Sequence, residues 1–176
     1  MITSDTYIIS DTHFGHKNIV RYCSRPLNHE EVILHNWKME VGANDEVLHL
    51  GDVMFAQVDD WVDALKDMPG RMKLIKGNHD HSKTVKKMKK EVGVEVIKPF
   101  VQRFGDFNFL FSHHPGERVE EDWDINIHGH IHNNPLNFEY PRKLDETKLY
   151  INVSVEVMAY RPVKLSTIFE RIGRVI

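Results

Sequence analysis

The chain has 176 residues and a formal net charge of −3, enough length to bury a core without disulfide or structural-metal staples and no global field that would draw it to nucleic acid or membrane. Cys23 is its only cysteine, which excludes an internal disulfide and a thiolate metal cluster. No basic segment precedes an apolar one at the N-terminus and no apolar run is long enough to span a bilayer, so the expectation is a single cytoplasmic domain over 1–176 without a membrane partner.

Tyr7-Ile8-Ile9 reads as a strand that runs into Ser10-Asp11-Thr12-His13. His16 to Tyr22 suits a short helical turn, interrupted by Pro26. A longer helix follows: Asn28 and Glu31 stand at capping-box spacing, and Val32, Ile33, Trp37 and Val41 trace an apolar face up to Gly42. Val47-Leu48-His49-Leu50 is a second strand ending in Gly51-Asp52, and a helix carrying Val58, Trp61, Val62 and Leu65 then stops at Pro69-Gly70. The third strand, Met72-Lys73-Leu74-Ile75, enters Lys76-Gly77-Asn78-His79-Asp80. Beyond it Ser82 is placed to cap a helix with Val85, Met88 and Val92 on one face. Its other face, Lys83, Lys86, Lys87, Lys89 and Lys90, reads as solvated charge, with electrostatic steering of a phosphate as the functional alternative.

The second half offers strands at 94–97, 107–111, 125–127, 149–157 and 163–169 without long helices between them. Phe107-Asn108-Phe109-Leu110-Phe111 ends in Ser112-His113-His114, and Ile125-Asn126-Ile127 ends in His128-Gly129-His130-Ile131-His132. Residues 133–148 read as a surface loop near these motifs. A βαβα half followed by a mostly β half predicts two sheets packed face to face with helices outside.

Five strand-like runs therefore each deliver Asp, Asn or His at one end, where ligands bind in open α/β sheets. Ordinary turns favour Gly, Pro, Asn, Asp and Ser without this excess of histidine. The pairs Asp11-x-His13 and His130-x-His132 space two donors so that both side chains point the same way at a strand end. Asp11, His13, Asp52, Asn78, His113, His130 and His132 make a set of oxygen and nitrogen donors too large for one metal. Two divalent ions sharing a bridging carboxylate, about 3.5–4 Å apart, use the whole set and leave positions for water. Such donors suit manganese, iron, zinc, cobalt or nickel, whereas a structural zinc site takes four ligands, commonly Cys-rich, in closed geometry. His79 reads as a proton donor and Asp80 as its orienter. Of the other histidines, His49 and His128 read as core residues or partners of ligands, His29 and His35 as surface, and His81 as a substrate contact or none. His16 and Asn18 stand within reach of the pocket.

The order Asp11-x-His13, Gly51-Asp52, Gly77-Asn78-His79-Asp80, Ser112-His113, Gly129-His130-x-His132 resembles the calcineurin-like metallophosphoesterases. Ile151-Asn152-Val153-Ser154-Val155-Glu156-Val157 and Arg161-Pro162-Val163 are similar to the end of the small bacterial and phage members, so the likeness covers nearly the whole chain. It implies a four-layer α/β/β/α sandwich of two mixed sheets flanked by helices. It further implies one metal on Asp11, His13 and His132, another on Asn78, His113 and His130, and Asp52 bridging them, with manganese the first choice of ion. A metal-bridging hydroxide would attack phosphorus in line, and His79, oriented by Asp80, would protonate the leaving oxygen.

Two departures narrow this reading. Asp52 continues as Val53-Met54-Phe55 rather than the Asp-Arg-Gly of the protein phosphatases, which turns the expectation away from a protein substrate. His113-His114 stands where many members have His-Gly; His113 lines up as the ligand and His114 reads as a substrate contact. The expected activity is hydrolysis of a phosphodiester, in preference to a phosphomonoester, in a small or nucleotide-like substrate, with no obligate nucleic-acid partner. The alternatives are a nuclease on single strands, which would need an aromatic and basic groove, and a non-catalytic binding scaffold, which would be expected to have lost ligands.

Overall fold

A computed structural model describes residues 1–55, 58–134 and 144–173, so most of the 133–148 loop expected near the motifs lies outside the described residues. Tyr7–Ile9 (β1), Glu46–His49 (β2), Arg71–Ile75 (β3) and Glu95–Ile97 (β4) form parallel neighbours, and Val163–Lys164 (β9) adds an antiparallel edge, giving the order β4-β3-β2-β1-β9. Phe100–Phe104 (β5), Phe107–Phe111 (β6), Ile125–His128 (β7) and Leu149–Asn152 (β8) make a second sheet, antiparallel only at β5-β6. The helices are Ile19–Tyr22 (α1), His29–Glu40 (α2), Val58–Lys66 (α3), Ser82–Glu91 (α4) and Leu165–Ile172 (α5).

Strand alternation sorts the first sheet's side chains onto two cores. Tyr7, Ile9, Val47 and Leu74 face Ile33 and Trp37 of α2, Val62 and Leu65 of α3, and Val85 and Met88 of α4. Ile8, Leu48, Leu50 and Ile75 point the other way and meet Phe109, Phe111, Ile125 and Ile127 of the second sheet. Leu165, Ile168 and Ile172 of α5 join that second core, where Phe169 packs 4.8 Å from Phe109 and 5.0 Å from Phe104, centroid to centroid. Two mixed sheets with flanking helices is the expected fold class. Among the described residues no helix is long and apolar enough to cross a membrane.

Three elements differ from the expectation. The strand predicted at 163–169 ends at Lys164 and turns into α5, because Leu165, Ile168, Phe169 and Ile172 recur at helical, not alternating, spacing. The strand predicted at 149–157 ends at Asn152. Beyond it, Val153 N donates to His128 O at 2.8 Å and Val155 N to Ser10 O at 3.1 Å, so this segment ties the end of β7 to the end of β1. β5, which had no prediction, pairs with β6 as a hairpin. Ser82 is the first helical residue of α4 rather than its cap, His81 occupying that position. The α4 lysines 83, 86, 89 and 90 are exposed, a solvated face.

Trp37, 1% exposed, fills the space between α2 and the sheet and donates Nε1–H to Pro69 O at 3.0 Å. Trp37→Ala opens a cavity and strands that carbonyl, and is expected to lower the unfolding free energy by about 3–5 kcal/mol in urea titration. A loss below about 1 kcal/mol would show that α2 settles onto the sheet without it.

Candidate metal centre

Parallel pairing brings the C-terminal ends of β1, β2 and β3 to one edge, and parallel pairing of β6 with β7 does the same in the second sheet. The loops beyond these ends are laced together. Asp11 N donates to Gly51 O, His13 N to Asp52 O, Phe14 N to Val53 O and Phe55 N to Phe14 O, each at 3.0 Å, which continues the β1-β2 pairing past the strands. Gly129 N to His113 O, also 3.0 Å, joins the two loops of the second sheet. The sheets are joined where His130 N donates to Asp11 Oδ2 at 2.9 Å.

Asp11 (φ 59°), His13 (51°), Asp52 (57°), His130 (72°) and His132 (53°) all lie in the left-handed region. Each such residue costs on the order of 1 kcal/mol, so the tertiary structure must hold them there. Arg25 does part of this: 3% exposed, it donates Nη1–H to Thr12 O at 2.8 Å and Nη2–H to Asp11 O at 2.6 Å. Two glycines allow the close approach. A Cβ at Gly77 would collide with Asp52 Oδ1, and one at Gly129 with Ser10 Oγ and Asp11 Oδ2.

All seven predicted donors converge. Nitrogen or oxygen atoms of Asp11, His13 and His132 lie within 4.8 Å of one another, as do those of Asp11, Asp52 and His113. Around His113, Nε2 is 3.0 Å from Asn78 Oδ1, 3.2 Å from His130 Nδ1 and 3.4 Å from Asp52 Oδ2. Asp52 Oδ2 also faces His13 Nε2 at 3.5 Å, so this one oxygen stands between the two groups, while Oδ1 accepts from His79 N at 2.8 Å.

The electrostatics are those of a site short of positive charge. Asp11 Oδ1 and both ring nitrogens of His13 are buried without a hydrogen-bond partner. Burial drives His13 down to about 2 and His130 to about 3, keeping both imidazoles neutral with lone pairs to offer. Burial also raises Asp11. At Asp52 burial acts upward, but the His113 hydrogen bond and the charges of His113 and His13 outweigh it and hold the carboxyl below its usual range. His113 is pushed down by burial, yet the hydrogen bond and charge of Asp52 and the charge of Asp11 hold it up at about 9. The proton it keeps sits where a cation would provide the same charge, and His113 Nδ1 already faces Leu50 O at 2.7 Å, leaving Nε2 toward the cluster. Buried, unpartnered carboxylate and imidazole donors fit divalent first-row ions.

A second layer escaped the sequence reading. His132 Nδ1 lies 2.9 Å from Glu156 Oε1, and Arg25 donates Nε–H to that oxygen at 2.8 Å. Ser154 Oγ is 3.0 Å from Asp11 Oδ2 and 2.7 Å from Asn152 Oδ1, and Asn152 Nδ2–H reaches His132 O at 2.5 Å. Burial lowers His132, but hydrogen bonding with Cys23 and Glu156 raises it to about 10. The only signal for this layer was the tail from Ile151 to Val157, which resembled family members without assigning roles; nothing local marked Arg25.

The other predicted residues divide. His79 is half-buried at the rim, its ring 5.5 Å from His13 and 5.3 Å from Phe55. Asp80 does not orient that ring: its carboxylate accepts from the backbone N–H of Asp52 and Gly77 at 2.8 Å and Val53 at 3.0 Å, because the turn brings it under the loop amides. It therefore fixes the loop bearing Asp52. His114 adjoins His113 and His130, ring to ring at 4.8 and 4.1 Å, and its nitrogen belongs to the same group. His16 lies 5.6 Å from the His13 ring, whereas Asn18 is exposed ahead of α1 with no hydrogen bond from its side chain to the cluster.

His49 is fully buried and neutral, accepting from Gly51 N at 3.1 Å and pairing with Thr12 Oγ1 at 3.1 Å, a support beneath the ligand loops. His128 is buried with Nδ1 2.9 Å from Gly129 O. His35 is exposed as expected, but His29 is 3% exposed, because the α2 N-terminus packs near Arg25 instead of projecting.

Similarity to known proteins agrees with this geometry. An uncharacterized protein of Methanocaldococcus jannaschii, MJ1445, is 35% identical over 175 residues, covering 96% of this chain and 91% of its own. The Gene 66 protein of Mycobacterium phage L5 is 30% identical over 161 residues, covering 73% of this chain and 78% of its own. Among solved structures, a protein of unknown function from Aquifex aeolicus, AQ665, superposes with a TM-score of 0.73 at 27% identity, over 97% of this chain and 98% of that one. The family model of the calcineurin-like phosphoesterase superfamily domain matches residues 5–153, nearly every motif residue among them, and the chain belongs to that superfamily of metal-dependent hydrolytic phosphoesterases.

Proposed function

We propose that the protein is a dinuclear-metal phosphoesterase that hydrolyses a phosphodiester of a small or nucleotide-like substrate. The observation that carries this reading is the buried, unpartnered set of Asp11 Oδ1 and both His13 nitrogens beside an Asp52 oxygen that faces two imidazoles. Asp11, His13 and His132 would hold one ion, Asn78, His113 and His130 the other, and Asp52 would serve both. Manganese is the first candidate by donor type, with iron, zinc, nickel and cobalt as alternatives. When bound, such ions acidify water and neutralise charge growing on phosphoryl oxygens.

The chain's own groups do the rest. Glu156 and Arg25 keep the His132 ring facing the cluster, and Asp80 keeps the Asp52 loop in place. His79, at the rim and with its ring free of hydrogen bonds to the described residues, is the group to hand a proton to the leaving oxygen. Arg25, held by Glu156 and two carbonyls, serves to support the site rather than to meet a substrate phosphate.

Metal analysis and turnover of bis- and mono-4-nitrophenyl phosphate on one sample test the reading. Near two ions per chain and metal-dependent turnover, faster on the diester, are expected; a chain that stays inactive after added manganese would instead support a binding scaffold. Asp52→Asn removes the shared charge and is expected to abolish turnover and drop the metal content toward one, with the circular dichroism retained. His79→Ala should slow alkyl esters by roughly 100-fold or more and nitrophenyl esters far less, since nitrophenolate leaves without a proton. Equal losses would remove His79 from that role. Glu156→Gln is expected to weaken manganese binding by roughly 10–100-fold in a titration; unchanged affinity would show that His132 needs no such partner.

A further inference from the structure

Beside the metal cluster, and reaching it at His79, runs a strip of rings, His16, Phe55 and Tyr22, that the chemistry above does not use. His16 and Phe55 are stacked, 4.1 Å between centroids and 23° between planes. Tyr22 stands perpendicular to His16 with 6.0 Å between centroids, and His79 meets Phe55 at 5.3 Å, so the strip leads from solvent to the cluster rim. Tyr22 is 67% and Phe55 44% exposed. A lone exposed aromatic is ordinary. Here several adjoin, and their backbone is fixed: Phe55 N donates to Phe14 O at 3.0 Å, and Met54 pairs with Phe14 in a parallel bridge. The His13 ring, a member of the cluster, touches His16 at 5.6 Å and His79 at 5.5 Å, which sets the strip within one nucleoside's reach of the phosphate position.

We propose that the stacked Phe55–His16 pair, with Tyr22 standing upright beside it, is a platform for a nucleobase, which makes the substrate a nucleotide-type ester whose base lies flat beside the reacting phosphate. The proposal deepens the phosphoesterase reading and rests on it for the position of the phosphate. A flat π-face suits any base, and stacking on one aromatic contributes about 1–3 kcal/mol per base. A strip of three rings has room for a single base rather than a strand.

The test is calorimetric binding of AMP and of ribose 5-phosphate to the manganese-loaded full chain, with bis-4-nitrophenyl phosphate turnover recorded on the same samples. The wild type is expected to bind AMP about tenfold more tightly than ribose 5-phosphate, within the roughly 5–150-fold that such stacking allows. Phe55→Leu should erase most of that preference and Phe55→Trp should keep it. Equal affinities in the wild type, or a preference unmoved by Phe55→Leu, overturn the platform even if turnover is normal. A preference that follows the ring at position 55 in a chain with no turnover supports the platform and removes the phosphoesterase reading instead.

Discussion

Burying negative charge is the constraint on which the rest of this structure depends. Asp11 and Asp52 are 0% and 1% exposed, and the Glu156 side chain is 2% exposed close by. An ionised carboxylate withdrawn from water is costly unless paired. Glu156 has Arg25, but Asp11 and Asp52 face neutral or shared imidazoles, and a second compensating charge must come from a bound proton or a cation. The upward hold on His113 and His132 is the protein's own partial answer, and it marks where divalent ions would complete the balance.

The backbone is organised around the same demand. Five left-handed residues turn side chains off the strand ends into a common volume, a conformation the isolated loops would not favour. Three devices hold it: the hydrogen bonds that prolong β1-β2 pairing through His13 and Phe14, the Arg25 grip on the Asp11 and Thr12 carbonyls, and the Asp80 carboxylate under the amides of Asp52 and Val53. Gly77 and Gly129 permit the loops to touch without a side chain between them. The apolar cores lie directly behind, so the rigidity of packed sheets is transmitted to the donors.

The platform at Phe55 follows from the same lacing. Because the chain after Asp52 remains paired to the chain after His13, residues chosen at 54 and 55 are locked against the pocket mouth. Substrate preference can then vary there without disturbing the charge balance inside.

Sequence alone picked out the seven donors that the fold brings together, because each sits at the end of an apolar run whose direction and period are local properties; it also determined most strands and helices of the first half, where βα alternation is strong. It misread 163–169, where a two-residue strand runs without a break into α5, and missed β5, whose half-buried side chains lack clear alternation. Only the tertiary structure decided which residues support the donors. Arg25 and Glu156 lie 131 positions apart and meet only because the segment after β8 crosses between the sheets, and Asp80, adjacent to His79 in the chain, is turned by the loop toward backbone amides. Contacts of that kind have no local signature: they are set by packing and by the need to pair every buried charge, which no short stretch of sequence contains.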